Sequence, residues 1–487
     1  MNLLASIDQW GQRAPERPAH VSGGRTLTYS DLIRQSDCLA AQIASRFPGD
    51  KSPIAVIGHK EPEMLVAFLG VVKAGHPYVP IDTSIPAQRA ERIVQTAKAR
   101  LILTPADVAA WAQQPMPTVT PAPVAWNDPY YIIFTSGSTG EPKGVVITLE
   151  CLTGFVEWML AEQKLIERQE VFLNQAPFSF DLSVMDLYLS LATGGTLYSI
   201  TAEQIANPKQ LYQAFGSSGI TAWVSTPSFA QMCLIEKTFN EAMLPGLRRL
   251  LFCGETLAPE VAAQLLERFP QARVWNTYGP TEATCCTTSI DVDRGILARC
   301  SPLPVGYVKP STRILIMDEA GQPVAAGEHG EIVIAGPNVS PGYLGRPDQN
   351  ARSFFLVDGQ RAYRTGDRGY FDNDMLFFEG RMDNQIKLHG YRIELGDIEA
   401  NLQALPGIRD AVVIPVLKQG KADSLAAFII LTEPHPISDF ELGLHLKQLL
   451  GVRVPPYMVP RKFYRLEQFP MTPNGKADRR KLAESIQ

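Results

Sequence analysis

The sequence predicts an α/β fold, with a large N-terminal domain of helix-covered, mostly parallel sheets and a small α+β domain after it. Three observations lead there. Apolar strand-like runs alternate with helix-length segments between Pro53 and Leu103, the same alternation returns between Arg249 and Trp275, and beyond about Arg381 the texture changes. A chain of 487 residues that is 45% hydrophobic can also fill more than one core, so a division into domains is expected.

In chain order, Pro53 to Gly58 reads as a buried strand, Glu61 to Lys73 as a helix, Tyr78 to Ile81 as a strand, Pro86 to Ala99 as a helix and Arg100 to Leu103 as a strand. The Pro-rich stretch Pro115 to Pro123 reads as a linker, and Tyr130 to Phe134 as a further apolar strand. Arg249 to Phe252, Pro259 to Phe269 and Arg273 to Trp275 repeat the strand, helix, strand order. Alternation of this kind places ligands at the loops that leave the strand C-termini. After Arg381 come a strand (Asn384 to Leu388), a helix (Leu395 to Leu405), two strands (Ala411 to Val416, Leu425 to Leu431) and a helix (Phe440 to Leu450). Ser438 with Glu441 three residues on makes a capping box for that last helix. The boundary is expected near Gly380-Arg381-Met382-Asp383, dividing the chain into 1–382 and 383–487. There are no internal repeats.

Bulk properties exclude several classes. A formal charge of -5 and an isoelectric point near 5.9 argue against nucleic acid as a partner. The first twenty or so residues carry Asp8, Arg13, Glu16 and Arg17 and no apolar segment, so no signal peptide is expected. The apolar run Leu425 to Leu431 is too short for membrane insertion. Seven cysteines without Cys-x-x-Cys spacing suggest reduced thiols in the cytoplasm and no structural metal.

Chemistry-bearing residues gather in a few loops. Thr135-Ser136-Gly137-Ser138-Thr139-Gly140-Glu141-Pro142-Lys143-Gly144 follows the strand Tyr130 to Phe134. Its glycines let backbone N–H groups face an anion, and its hydroxyls and Lys143 add donors and positive charge, which suits phosphates. It is not the loop of kinases and GTPases, which needs Gly-Lys-Ser/Thr opening a helix, because Pro142 precedes the lysine and Gly144 follows it. Asn276-Thr277-Tyr278-Gly279-Pro280-Thr281-Glu282 supplies a ring for stacking, a hydroxyl for phosphate and a carboxylate for a metal, although a Gly-Pro turn by itself is ordinary. Tyr363-Arg364-Thr365-Gly366-Asp367 offers a carboxylate in a loop, either for ribose hydroxyls or for turn amides. Asn474-Gly475-Lys476 puts a lysine on a turn, where a solvated side chain is the default.

These segments, with Val72 to Asp82, Gly380 to Asp383 and Lys387 to Leu395, occur in the order seen in amino-acid adenylation domains, and the chain is identified as resembling that branch of the adenylate-forming superfamily from about Leu27 to Lys476. Longer strings, Asn174 to Tyr188, Ser225 to Phe229 and Phe252 to Glu255, resemble the D-alanine:D-alanyl carrier protein ligases more specifically. The resemblance implies roles. Thr135, Ser136, Gly137, Ser138, Thr139 and Lys143 would hold the phosphates of ATP. Tyr278 would pack on adenine within a turn completed by Asn276, Thr277, Gly279 and Pro280. Thr281 and Glu282 would serve phosphate and Mg2+, and Asp367 the ribose. Arg381 would lie near the nucleotide, Asp383 would be the hinge, and Lys476 would bridge the substrate carboxylate and the α-phosphate.

Asp181 would pair with the substrate ammonium. Its alternative role is a helix N-cap, since helix-like residues follow it. Leu182 and Met185 supply apolar lining, and Cys253 would border the substrate α-carbon. Cys285-Cys286 departs from the small apolar residues expected after the Thr-Glu-Ala-Thr turn, which bears on substrate identity. The implied activity is D-alanine activation as an adenylate and transfer to a phosphopantetheine thiol. No carrier serine motif is present, so the carrier is expected on another polypeptide. The family implies teichoic acid D-alanylation. The alternatives are a ligase for L-Ala, Pro, Ser or Gly feeding a secondary-metabolite carrier, and a catalytically dead binding relative.

Overall fold

The protein was described from a computed structural model covering residues 1–137, 140–165, 169–418, 421–433, 437–472 and 477–486. The chain divides into two compact units. The first comprises Met1–Asp82, Thr96–Ile133 and Gly144–Met382; the second comprises Thr83–Gln95, Phe134–Lys143 and Asp383–Gln487.

At the centre of the first unit is a nine-stranded sheet among the described residues. Its middle is parallel: Val171–Asn174, Ala222–Ser225, Arg249–Phe252 and Arg273–Tyr278 run side by side, with Val224 in register with both Asn174 and Leu251, and Phe252 with Asn276. Every residue of Ala222–Ser225 and Arg249–Phe252 is buried, as parallel strands covered on both faces require. Helices Leu182–Thr193, Pro227–Cys233 and Pro259–Arg268 connect successive strands. The C-terminal ends of these strands therefore open onto the segments that contain Asp181, Cys253 and Gly279, the edge where an α/β sheet binds ligands. The strands Ile54–Gly58 and Tyr78–Asp82 pair in parallel in a second sheet, with the almost fully buried helix Pro62–Lys73 between them. A mainly antiparallel sheet, built on Gly330–Ala335 and the long strand Gln360–Asp372, completes the unit.

The second unit holds the hairpin Gln385–Leu388 and Tyr391–Glu394, the helix Leu395–Gln403, and the paired strands Ile408–Lys418 and Lys421–Leu431, with Lys462–Arg465 adding in parallel. Ile393, Ile398, Leu402, Val413, Ala427, Ile429 and Leu446 fill its core. The capping box forms as expected: Ser438 Oγ accepts from Glu441 N, and the Glu441 carboxylate accepts from Ser438 N, at the start of Asp439–Gly451. Two strands absent from the sequence reading are present, Tyr391–Glu394 and Lys462–Arg465. The first is short, and it pairs with Gln385–Leu388 across a two-residue turn, His389-Gly390, where both residues have positive φ.

Candidate active site

Tyr278 ends its strand buried, and its hydroxyl donates to Asp367 Oδ2 at 2.6 Å. Arg381 reaches the other carboxylate oxygen, Oδ1, at 2.8 Å and also donates to the Thr365 carbonyl at 2.7 Å. Burial and the neighbouring Asp367 push the Tyr278 phenol well above its ordinary range, so it stays a donor. Asp367 does not lie in a loop, as the sequence suggested. It sits inside the strand Gln360–Asp372, beside a register shift at Arg368/Gly369 and just after Gly366, whose φ is +69°. That irregularity is how a strand interior can present a carboxylate at a ligand edge.

The turn after Tyr278 is tightly built. A Cβ on Gly279 would lie 2.5 Å from Cys286 Cα, so only glycine lets these two backbone segments cross. Pro280 leads into the 3-10 turn Thr281–Ala283, and Thr284 and Cys285 both adopt left-handed backbone, with φ of 62° and 66°. Glu282 is fully buried and accepts from the Tyr343 hydroxyl at 2.8 Å, which in turn lies 3.3 Å from the Tyr363 hydroxyl. The Asn276 amide donates to Pro304 O and the Thr277 hydroxyl to Phe252 O, both at 2.8 Å. These bonds brace the turn.

Asp181 stands one residue before the helix Leu182–Thr193 but has αR backbone and makes no capping bond, so the N-cap role does not hold. Leu182 and Met185 on that helix, together with Cys253 and Cys285, belong to one buried cluster. Cys253 Sγ lies 3.7 Å from the Cys285 carbonyl. Hydrogen bonding with the Cys253 and Cys286 thiols, followed by burial, drives the Cys285 thiol well above its ordinary range, which makes it a packing group and not a nucleophile.

In the second unit, the Thr135 hydroxyl is buried without a hydrogen-bond partner among the described residues. Gly137 is pressed so closely to the Glu141 carbonyl that a Cβ would sit 2.2 Å from it. Ser136 Oγ donates to Arg392 O and accepts from Glu394 N, each at 3.0 Å, and Lys143 Nζ is 3.6 Å from Glu394 Oε1. A buried hydroxyl without a partner beside a glycine-tight turn fits an anion. The Asp383 carboxylate accepts from Gln385 N at 3.0 Å. Ser138, Thr139 and Lys476 lie outside the described residues. Tyr343 is not found by sequence reading, because its bond to Glu282 spans 61 residues and it has no local motif of its own.

A family model described as AMP-binding enzyme matches residues 7–344, and one for the AMP-binding enzyme C-terminal domain matches 397–476. D-alanine–D-alanyl carrier protein ligases from Bacillus cytotoxicus and Bacillus mycoides are each 48% identical to this chain, with both partners covered completely. Among solved structures, an NRPS protein containing adenylation and PCP domains, bound to a vinylsulfonamide inhibitor, is similar with a TM-score of 0.81 at 27% identity, covering 100% of this chain and 84% of that one. The Vibrio cholerae adenylation domain AlmE, in complex with glycyl-adenosine-5'-phosphate, shares the fold with a TM-score of 0.85 at 22% identity, covering 100% of this chain and 97% of that one. The chain belongs to the AMP-binding enzyme family and, within it, to the D-alanine–D-alanyl carrier protein ligases.

Proposed function

We infer that this protein is an AMP-forming ligase that activates D-alanine with ATP and passes it to the phosphopantetheine thiol of a carrier protein. The observation that carries this is the 48% identity with D-alanine–D-alanyl carrier protein ligases over the full chain. In the first half-reaction a carboxylate oxygen of the amino acid attacks the α-phosphorus of ATP and pyrophosphate leaves. In the second, the thiol sulfur loses its proton and attacks the acyl carbon, and AMP leaves.

Each residue has a task in this scheme. Asp181 takes the ammonium, and Leu182, Met185, Cys253 and Cys285 limit the space for the side chain. Tyr278 packs against adenine while its hydroxyl and Arg381 hold Asp367 ready for the ribose. Thr135, Ser136, Gly137, Ser138, Thr139 and Lys143, with Thr281, hold phosphates, and Asn276, Thr277, Gly279 and Pro280 shape the turn. Glu282 would hold Mg2+, which would offset phosphate charge when bound. Lys476 neutralises the approaching carboxylate and α-phosphate. It does so from a domain, 383–487, that pivots on Asp383 against 1–382, so that it leaves before the thiol arrives.

We place the reaction in the cytoplasm and its product in teichoic acid D-alanylation. Access to ATP and seven reduced cysteines support the compartment, and no helix among the described residues is long and apolar enough to cross a membrane. Exchange of pyrophosphate into ATP, measured with D-Ala, L-Ala, Gly, Ser and Pro, tests the substrate. D-alanine is expected to give the highest kcat/KM, with AMP and not ADP as product. A higher value for another amino acid would replace D-alanine, and exchange with none would point to a binding relative.

A further inference from the structure

Beneath the turn that carries Asp181 lies a buried polar cluster with no role in the contacts described so far. Its centre is Asn174, the last residue of the strand Val171–Asn174, which is fully buried. Asn174 Nδ2 donates to Ala176 O at 3.0 Å and to Asp186 Oδ1 at 3.1 Å, while its Oδ1 accepts from Ser199 Oγ at 2.8 Å. Both amide hydrogens are thus in use, and the Ser199 bond dictates which way the amide faces. Having donated its hydrogen to Asn174, Ser199 can only accept from His20, whose Nε2 is 2.8 Å away. His20 therefore carries its proton on Nε2, and burial, with Lys60 and Arg25 nearby, lowers its pKa to about 3 and keeps the ring neutral.

Lys60 closes the cluster from the other side. It is 2% exposed, and its Nζ donates to the carbonyls of Asn174 (3.3 Å), Gln175 (2.7 Å) and Ile200 (2.7 Å), which matches its three N–H groups. Burial pulls it down to about 7, opposed by the carboxylates of Asp186 and Asp82.

These bonds converge on a short segment. Between Asn174 and Asp181 the chain reads Gln175-Ala176-Pro177-Phe178-Ser179-Phe180. The Gln175 carbonyl is held by Lys60 and the Ala176 carbonyl by Asn174, and Pro177 O accepts from Phe180 N at 2.9 Å. The far end of the segment runs into the helix Leu182–Thr193, and Asn174 is tied to that same helix through Asp186. One amide therefore fastens both ends of the segment that delivers Asp181.

We propose that Asn174 is a positioning residue for the amino acid: its amide, oriented by Ser199 and His20 and backed by Lys60, sets where the Asp181 carboxylate stands. This rests on Asp181 as the ammonium ligand. A residue serving stability alone lowers the melting temperature and leaves KM values unchanged. A positioning residue raises the amino-acid KM and spares the ATP KM, because the nucleotide contacts lie on other segments.

The test uses the full-length protein and pyrophosphate exchange with D-alanine and ATP varied in turn. Asn174→Ala is expected to raise the D-alanine KM about tenfold or more while the ATP KM stays within about twofold. Ser199→Ala removes only the hydroxyl that orients the amide; it is the milder variant, with a rise of about threefold expected, and it carries the test if Asn174→Ala does not fold. Asp181→Asn is measured alongside. If Asp181→Asn raises the D-alanine KM and the folded Asn174 and Ser199 variants do not, the proposal falls and the ammonium assignment stands. If Asp181→Asn leaves the KM unchanged, the ammonium assignment falls and takes the proposal with it.

Discussion

The proposed recognition of the nucleotide and that of the amino acid use different materials. Around the nucleotide residues, polar atoms are locked in advance: Tyr278 and Arg381 each take one oxygen of Asp367, and Tyr343 holds Glu282. The residues proposed for the amino-acid side chain, Leu182, Met185 and the thiols of Cys253 and Cys285, belong instead to the buried apolar core, groups that select by volume. Phosphates and a ribose carry many hydrogen-bonding atoms and can be read by preset donors and acceptors. A methyl side chain carries none, so only the space around it discriminates, and space is a weaker discriminator than an unpaired polar group.

Variants can break this contrast one side at a time. The largest effect belongs to Lys476→Ala, which should lower adenylate formation by orders of magnitude and leave thioester formation from supplied aminoacyl-AMP nearly intact, because its contact exists in one transition state only. Rapid-quench assays of the two half-reactions decide this, and equal losses in both reject the role. Asp181→Asn should raise the D-alanine KM by the equivalent of about 3 to 5 kcal/mol, since the substrate ammonium is left buried without its charge partner. Its ATP KM should not move, and a parallel rise would mean that Asp181 serves the whole unit and not the amino acid. Tyr343→Phe acts on the other side. Removing one bond to the buried Glu282 carboxylate should weaken Mg-ATP use by about 1.5 to 3 kcal/mol and raise the magnesium concentration for half-maximal exchange, with D-alanine unaffected. Cys253→Ala should be smallest, shifting kcat/KM toward L-alanine by roughly 1 to 3 kcal/mol, the range one heavy atom controls in a pocket. A lower melting temperature with an unchanged D/L ratio would make Cys253 a core residue only.

What could be read in the sequence followed the same division. Features whose structure is local were legible: the Ser438/Glu441 box forms as its spacing predicts, and the turn read at Gly279-Pro280 is present, with no room for a Cβ on Gly279. Residues whose roles depend on distant partners were not. Lys60 reads as a surface lysine until its three carbonyl acceptors arrive from positions 114 to 140 residues away. Asn276 and Thr277 were named from their motif, but the bonds of their side chains to Pro304 and Phe252 are ones that no local pattern reveals. Asp367 was placed in a loop because Thr-Gly-Asp looks like a turn, yet the long strand accommodates it by a register shift.

The left-handed pair Thr284 and Cys285 bears on how this enzyme can be given new substrates. Non-glycine residues in that conformation cost about 1 to 3 kcal/mol, tolerated only because the surrounding packing imposes them. Directed evolution that enlarges the pocket ordinarily trades stability for room. Under the role proposed for Cys285 the two would run together, because a glycine there removes a pocket side chain and relaxes the left-handed backbone in one step.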